Sequence, residues 1–170
     1  MRRTWLVVAL AASPLAAREP AKEAPWPTGI YGNVRMSAET GDLGGLEARF
    51  SEQDGRHMVE YVLCEGWCNE TIVTEVRRDG AGFAFSGTAY SFIDGVRTPE
   101  VQHIGLQPKG GTFVATVGET DDAWRAGTLK QLKEPFGLTV ARSEEQAAEQ
   151  APDWAAKPVH ARVLKPFSYT

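Results

Sequence analysis

The sequence predicts an all-β protein: an antiparallel meander of about eight or nine strands that closes, or nearly closes, into a barrel and is followed by a short C-terminal helix. Three observations lead to this fold class. Apolar and polar residues alternate along most of the chain after Thr28. Turn-forming dipeptides separate the alternating runs, and 17 glycines and 10 prolines in 170 residues agree with many turns. No helical period intervenes between the runs, which indicates that neighbouring strands are antiparallel.

The first 17 residues have the pattern of a secretory signal peptide. Arg2 and Arg3 give a positively charged start, residues 5–12 form a short apolar run, and Ala17 is a small residue at a suitable cleavage point. The apolar run is far shorter than the roughly 20 residues of a transmembrane helix. We therefore expect a periplasmic or secreted protein with no membrane anchor.

Residues 18–27 predict a linker, because charges, alanines and prolines follow one another without an apolar period. Within this segment, Trp26 is the side chain suited to docking on the folded domain. The barrel domain is predicted over residues 28–142, and the C-terminal helix and tail over residues 143–170.

The predicted strands follow from apolar residues at every second position, as in Phe83 and Phe85. In chain order the runs are Ile30–Met36, Leu46–Phe50, His57–Leu63, Glu70–Arg78, Phe83–Ser86, Val101–Gln107, Thr112–Val117, Thr128–Leu132 and Phe136–Arg142. Asp54-Gly55 and Asp79-Gly80 stand between successive runs, as hairpin turns require. Sequential hairpins need no crossover and closure removes exposed edges, so a barrel is favoured and a sandwich is the alternative.

One short helix is predicted after the last run. Ser143 and Gln146 have the spacing of a capping box, in which a hydroxyl caps the helix start and an amide side chain lies three residues later. Residues 147–151 extend the helix and Pro152 ends it. Because most of these residues are polar or alanine, the helix is expected on the surface.

Cys64 and Cys68 are the two cysteines of the chain, and they bracket Glu65-Gly66-Trp67 between two strand runs. A disulfide is the expected state in an exported protein, since a hairpin end brings such positions close together. The alternatives are a redox-active dithiol and a zinc site. A redox motif has two intervening residues near a helix start, and zinc requires further ligands, so both are less favoured. The disulfide would hold the loop that carries Trp67.

Composition and motifs narrow the function classes. The net charge of −4 argues against non-specific nucleic-acid binding, which requires a basic surface. No serine lies in a nucleophile elbow, and no glycine-rich loop opens a helix. Several acids near predicted turns could include a catalytic pair, but solvated turn residues are the favoured interpretation: Glu39, Asp42, Glu65, Glu70, Asp121 and Asp122. We therefore predict a non-enzymatic protein with no cofactor and no bound metal.

The first strand begins Gly29-Ile30-Tyr31, and this start together with the meander resembles the small secreted barrels of the lipocalin and avidin-like (calycin) kind. In lipocalins the aromatic residue is Trp, and it packs over the barrel floor, often beneath an Arg from the last strand. The resemblance thus implies that Tyr31 lies at the floor, that Arg142 is the strand-end Arg, and that the barrel binds a ligand. The chain differs from lipocalins in this Tyr and in lacking their long-range disulfide.

The leading functional prediction is a binding protein that holds a small apolar or amphipathic molecule in the barrel mouth. Tyr31 and Trp67 are expected at the rim, and Tyr61, Phe83 and Phe85 line the interior or fill it as a solid core. The second prediction is a cell-envelope interaction or inhibitor module that presents the Cys64–Cys68 loop to a partner protein, with Trp67 exposed.

Overall fold

The strands form a single antiparallel ten-stranded sheet in the computed structural model, which describes residues 23–93, 96–119 and 123–149. They are β1 Gly29–Gly32, β2 Arg35–Met36, β3 Leu43–Gln53, β4 Arg56–Gly66, β5 Ile72–Glu75, β6 Arg77–Asp79, β7 Gly82–Ile93, β8 Val96–Lys109, β9 Thr112–Val117 and β10 Trp124–Leu132. One helix follows, α1 Gly137–Glu149. The sheet is a nearly closed barrel, so the predicted fold class is confirmed.

Most adjacent strands of the sheet are also neighbours in sequence, as a meander requires. β1 pairs with both β3 and β10, which joins the two halves of the sheet. β5 and β6 are successive parts of one strand path that is interrupted at the buried Val76. β5 pairs only with β4 and β6 only with β7, so the described ladder contains no β5–β7 pairing. We call this unpaired boundary between β5 and β7 the seam; the two strands still contact each other there, since Ile72 on β5 packs beside Gly87 on β7.

The hairpin turns define the two ends of the barrel. Asp54 and Gly55 both have positive φ, at 51° and 74°, as a two-residue hairpin of the predicted kind needs. This turn, the β6–β7 turn and the β8–β9 turn lie at one end, which we call the floor. The ends of β4 and β7 and the start of β5 lie at the opposite end, which we call the mouth.

Aromatic rings fill the barrel near the floor. Phe50, Phe83, Phe85 and Phe113 are almost fully buried, and Tyr31 packs edge-on against Phe50 and Phe113. Such edge-to-face contacts each add about 0.5–1.5 kcal/mol beyond the burial of apolar area. The solid-core alternative for these aromatic residues thus describes the floor half of the barrel.

Trp26, from the predicted linker, seals the floor. Its ring stacks on His57 with centroids 3.8 Å apart and lies 5.4 Å from the Phe83 ring. The Arg78 guanidinium lies 4.6 Å from the Trp26 ring centroid and donates a hydrogen bond to the Ala24 carbonyl. Residues 24–26 are therefore part of the folded domain.

The region Phe136–Arg142, predicted as a strand, is instead helical from Gly137 onward and forms the first half of α1, so this prediction was wrong. Leu138 and Ala141 are three residues apart and fully buried against the outer face of β3 and β4, a helical spacing that the short alternation concealed. Ser143, the predicted cap, lies inside the helix and donates to the Thr139 carbonyl.

Arg142 also lies elsewhere than the resemblance implied. It is on α1, where its guanidinium pairs with the Glu60 carboxylate on the outside of the barrel, with nitrogen–oxygen distances of 2.5–3.0 Å. The floor arginine is Arg78, and the ring beneath it is Trp26 rather than Tyr31. Arg142 is thus positioned by the packing of α1 on β4, and it does not belong to the last strand.

Three predictions lie wholly or partly outside the described residues: the signal peptide of residues 1–17, the start of the linker and the tail after Glu149. The described residues contain one helix, α1, which is too short and too polar to cross a membrane.

Candidate functional site

An open cleft of about 460 Å³ lies at the mouth, where the seam separates β5 from β7. Its walls come from the end of β4, the start of β5 and the facing parts of β7 and β8. Its lining residues are Leu63, Glu65, Asn69, Glu70, Ile72, Ala89, Tyr90, Ser91, Glu100 and Gln102. The cleft therefore lies at the mouth end of the seam.

Two buried polar atoms without a hydrogen-bond partner in the described structure lie in this layer of the barrel, the Tyr61 hydroxyl and the Gln102 amide oxygen. Tyr61 is fully buried and its ring spans the interior to Gly87 on β7, which pairs with Gln102 on β8. A Cβ on Gly87 would lie 2.7 Å from the Tyr61 hydroxyl and 2.4 Å from a methyl carbon of Ile72. Glycine at position 87 is thus what lets the Tyr61 hydroxyl reach across beneath the cleft.

The environment of the Tyr61 hydroxyl keeps it neutral. Burial, followed by the negative charge of Glu70, raises the pKa of Tyr61 well above its ordinary value. The hydroxyl therefore remains a donor and an acceptor throughout the physiological pH range.

Carboxylates surround the cleft. Glu65, Glu70 and Glu100 all line it, and Glu70 accepts a hydrogen bond of 2.6 Å from the Tyr90 amide on β7. The Arg97 guanidinium lies 3.6 Å from the centroid of the Tyr90 ring, so the arginine covers one face of that ring. The cleft consequently combines apolar walls with an acidic rim.

The Cys64–Cys68 disulfide is present, as predicted, and joins Cα atoms 4.4 Å apart beside the mouth. Both cysteines are buried against α1. The helix also holds the loop through polar contacts, since the Trp67 indole donates to Glu144 and the Thr71 amide and hydroxyl donate to Glu145. The loop is therefore fixed by α1 as well as by the disulfide.

The structure places the five predicted ligand-binding residues in three different environments. Tyr31, Phe83 and Phe85 pack in the core near the floor. Tyr61 is buried and is not part of the cleft lining, but its hydroxyl lies beside Gly87 and close to the lining residue Ile72. Trp67 lies on the disulfide loop, with 41% of its surface exposed, and is not part of the cleft lining.

A wider groove of about 780 Å³ lies outside the barrel between β2 and β10, but the side-chain amide of its lining residue Asn33 already has hydrogen-bond partners. Asn33 donates to the Ala126 carbonyl and accepts from the Leu46 amide, so it bridges the gap between β3 and β10. The mouth cleft differs because the amide oxygen of one lining residue, Gln102, has no hydrogen-bond partner in the described structure.

No group of three or more His, Cys, Asp or Glu side chains within the described ranges is arranged to hold a metal ion.

No protein-family model, curated protein or solved structure matches this chain. The candidate site is therefore defined by its own geometry.

Sequence reasoning missed Gln102 and Glu100, although the alternation contained a signal for Gln102. Ile104 and Leu106 are buried core residues, so Gln102 shares their inward-facing parity and places an amide inside the barrel. Glu65 and Glu70 were interpreted as turn acids, because nothing in the local sequence shows that β7 and β8 face them across a seam.

Proposed function

We propose that this protein is an exported binding protein that holds a small amphipathic molecule, with its cationic end inward, at the mouth of the barrel. The observation that carries this proposal is the pair of buried, unpartnered polar atoms, the Tyr61 hydroxyl and the Gln102 amide oxygen. A buried polar group without a partner costs about 1–3 kcal/mol, and such groups are rare in folded proteins. A ligand that supplies the missing partner recovers part of this free energy on binding.

The chemistry of these atoms indicates which end of a ligand they bind. The Gln102 amide oxygen can only accept a hydrogen bond, and the neutral Tyr61 hydroxyl can accept or donate. Glu70 adds a negative charge close enough to act on Tyr61. A group with several N–H donors and a positive charge, such as a primary ammonium, satisfies all three.

The walls and rim of the cleft suit the rest of such a molecule. Leu63, Ile72 and Ala89 supply apolar surface for a hydrocarbon or aromatic body. The volume of about 460 Å³ falls within the range of small-molecule sites. The acidic rim attracts cations from solution and disfavours anions. The aromatic packing near the floor supports ligand binding at the mouth rather than deep in the interior.

The disulfide supports the export component of the proposal. Disulfides persist in oxidising compartments and are rare in the cytosol.

Two fluorescent probes with the same dansyl group and opposite charges test the proposal. Dansylcadaverine carries an aliphatic ammonium, and N-dansyl-6-aminohexanoate carries a carboxylate. In fluorescence titrations at low ionic strength, we expect saturable binding of the cationic probe, with a Kd at least about tenfold lower than that of the anionic probe. Equal affinity for the two probes, or no saturable binding of the cationic one, would contradict the proposal.

Variants localise the binding. Tyr61→Phe and Gln102→Leu are each expected to weaken binding of dansylcadaverine by about two- to tenfold, because each removes one hydrogen-bonding atom. Glu100→Gln should weaken it as well, whereas Glu52→Gln, at an exposed position near the floor turn, is the matched control. A loss of affinity in Glu52→Gln as large as in Glu100→Gln would show that binding depends on net charge rather than on the cleft.

Exposure of Trp67 favours a second candidate function, an interaction module that presents the Cys64–Cys68 loop to an envelope protein. Large exposed aromatic residues are common anchors of protein interfaces. This candidate requires that a partner captured by the wild type is lost with Trp67→Ala and retained with Trp124→Ala, since Trp124 is similarly exposed but lies on β10. Retention with both variants would exclude the loop as the binding surface.

A further inference from the structure

Three side chains on the outer face of the barrel have the arrangement of an activated nucleophile. Ser86 on β7 and His103 on β8 are directly opposite each other, and they face outward because the adjacent pair, Phe85 and Ile104, is buried inside. The Ser86 hydroxyl oxygen lies 3.0 Å from His103 Nδ1. On the other side of the imidazole, Nε2 lies 3.3 Å from a carboxylate oxygen of Glu119, just after β9.

The imidazole of His103 lies between the Ser86 hydroxyl and the Glu119 carboxylate, an order that allows it to accept the serine proton. In the tautomer with its proton on Nε2, the proton points towards the Glu119 carboxylate and the Nδ1 lone pair accepts from the Ser86 hydroxyl. A serine beside a base that is itself oriented by a carboxylate is the recurring constellation of covalent acyl transfer, and it occurs on unrelated folds. The backbone holds His103 in place, since its carbonyl accepts a hydrogen bond from the Gly118 amide.

The three groups line a cleft of about 390 Å³ that also contains Arg77 and Gly105. Arg77 pairs with Ala84 across β6 and β7, two residues from Ser86 on the same outward face. Because Arg77 lines the same cleft as Ser86, its guanidinium can donate to an oxyanion formed there. Gly105 lacks a side chain, and a Cβ there would lie 2.8 Å from the hydroxyl oxygen of Thr116, which lines the same cleft.

We propose that Ser86, His103 and Glu119 form a nucleophilic site that transfers the acyl group of small, unhindered esters to water. This activity goes beyond the proposed binding function and lies on a different face of the barrel from the mouth cleft. It also departs from the sequence-based prediction of a non-enzymatic protein, because alternating strands bring together residues that no local motif marks.

The reaction balances without any further reagent. The Ser86 oxygen bonds to the ester carbonyl carbon while its proton passes to His103 Nδ1, and the negative oxygen of the tetrahedral intermediate is held by Arg77. Collapse breaks the carbon–oxygen bond to the alcohol, which leaves with the proton from Nδ1. Water then attacks the acyl-Ser86, again giving its proton to Nδ1, and the acid departs as Ser86 regains its proton.

A fluorophosphonate probe tests the nucleophile directly. Attack by Ser86 would form a P–O bond and release fluoride, and intact-mass measurement would show one added phosphonyl group. We expect that peptide mapping of the full chain places this group on Ser86. Ser51→Ala is the matched control, since Ser51 is an exposed strand serine that contacts Gln53 instead of a histidine.

Variants assign the roles of the other two residues, with hydrolysis of p-nitrophenyl acetate as the readout. Ser86→Ala should abolish labelling and turnover, and His103→Gln should lower both by about 100-fold or more. Glu119 is a positioning residue and is largely exposed. Glu119→Gln should therefore lower kcat by less than about tenfold, with KM and the thermal unfolding midpoint unchanged.

The proposal is overturned if the folded wild type is labelled no faster than unfolded chain, or if Ser86→Ala is labelled as fast as the wild type. Circular dichroism and thermal unfolding of each variant show whether it is folded. If Ser86→Ala does not fold, His103→Gln decides the matter, because unchanged labelling in that folded variant contradicts the proposed role of the imidazole.

Discussion

The Glu47 carboxylate, from the middle of β3, accepts a hydrogen bond of 3.1 Å from the Gly137 amide at the start of α1. The same carboxylate accepts from the amides of Phe136 and Leu138, at 3.0–3.3 Å. Glu47 is fully buried, so a charged group on the outer face of the barrel is covered by the helix that it caps. The free amides and the dipole at a helix N-terminus are a favourable environment for a carboxylate.

This contact predicts that Glu47 determines whether α1 docks. Glu47→Ala leaves several amides unpaired and should lower the free energy of unfolding by about 2–4 kcal/mol. Glu47→Gln keeps one acceptor oxygen and should cost about 1 kcal/mol, mainly through the lost charge. Urea unfolding followed by circular dichroism measures both, and Glu52→Ala is the exposed control. Equal stabilities of Glu47→Ala and Glu52→Ala would show that the cap contributes nothing.

The contact between Trp26 and Arg78 at the floor predicts that their contributions to the free energy of unfolding are coupled. Trp26→Ala removes a half-buried ring and should lower the free energy of unfolding by about 2 kcal/mol, below the cost of a fully buried Trp. Arg78→Ala removes the guanidinium beside that ring. Because the two side chains contact each other, a double-mutant cycle should give a coupling free energy of about 1 kcal/mol. Additive effects would show that Trp26 and Arg78 act independently.

Much of the barrel could be predicted, because a strand with one buried face has apolar and polar residues at alternate positions. Phe83 and Phe85 lie on the predicted inward face, and the turn at Asp54-Gly55 has the expected conformation. The helix start could not be predicted in the same way. Leu138 and Ala141 become buried only because β3 and β4 present a surface to them.

The candidate sites depend on contacts between distant parts of the chain. In the sequence, Glu47 is one polar residue in an alternating strand, and its amide partners come 89–91 residues later. The mouth cleft brings together the end of β4, the loop after it, β7 and β8, which are far apart in the sequence. Likewise, Ser86 meets His103 only through the β7–β8 register.

We expect removal of the disulfide to cause a moderate decrease in the free energy of unfolding. Closure of the short loop between Cys64 and Cys68 contributes about 2 kcal/mol in the chain-entropy model. The double variant Cys64→Ala/Cys68→Ala should lose about this amount and remain folded, because Glu144 and Glu145 still hold the loop. Thermal and urea unfolding measure the loss. An unfolded double variant would mean that the loop holds α1 in place rather than the reverse.

The buried hydroxyl of Tyr61 predicts a specific alkaline instability. Burial and the Glu70 charge raise the pKa of Tyr61 in the folded protein, so the folded state keeps a proton that the unfolded chain releases at high pH. The stability linked to this proton is fully present below about pH 10, the ordinary pKa of Tyr, and is lost as the pH rises towards the folded-state pKa. The loss approaches about 1.4 kcal/mol for each pH unit above 10.

Tyr61→Phe isolates this effect. The variant should be at least as stable as the wild type at pH 7, because it removes a buried hydroxyl that has no partner in the described structure. Between pH 9 and pH 11 its free energy of unfolding should fall less than that of the wild type. Phe113→Leu, another buried ring position without a titratable group, is expected to keep the wild-type dependence on pH. If Tyr61→Phe loses stability as steeply as the wild type over this range, the hydroxyl is not held neutral by burial. Tyr61 then does not supply the neutral hydroxyl that the proposed ligand site requires.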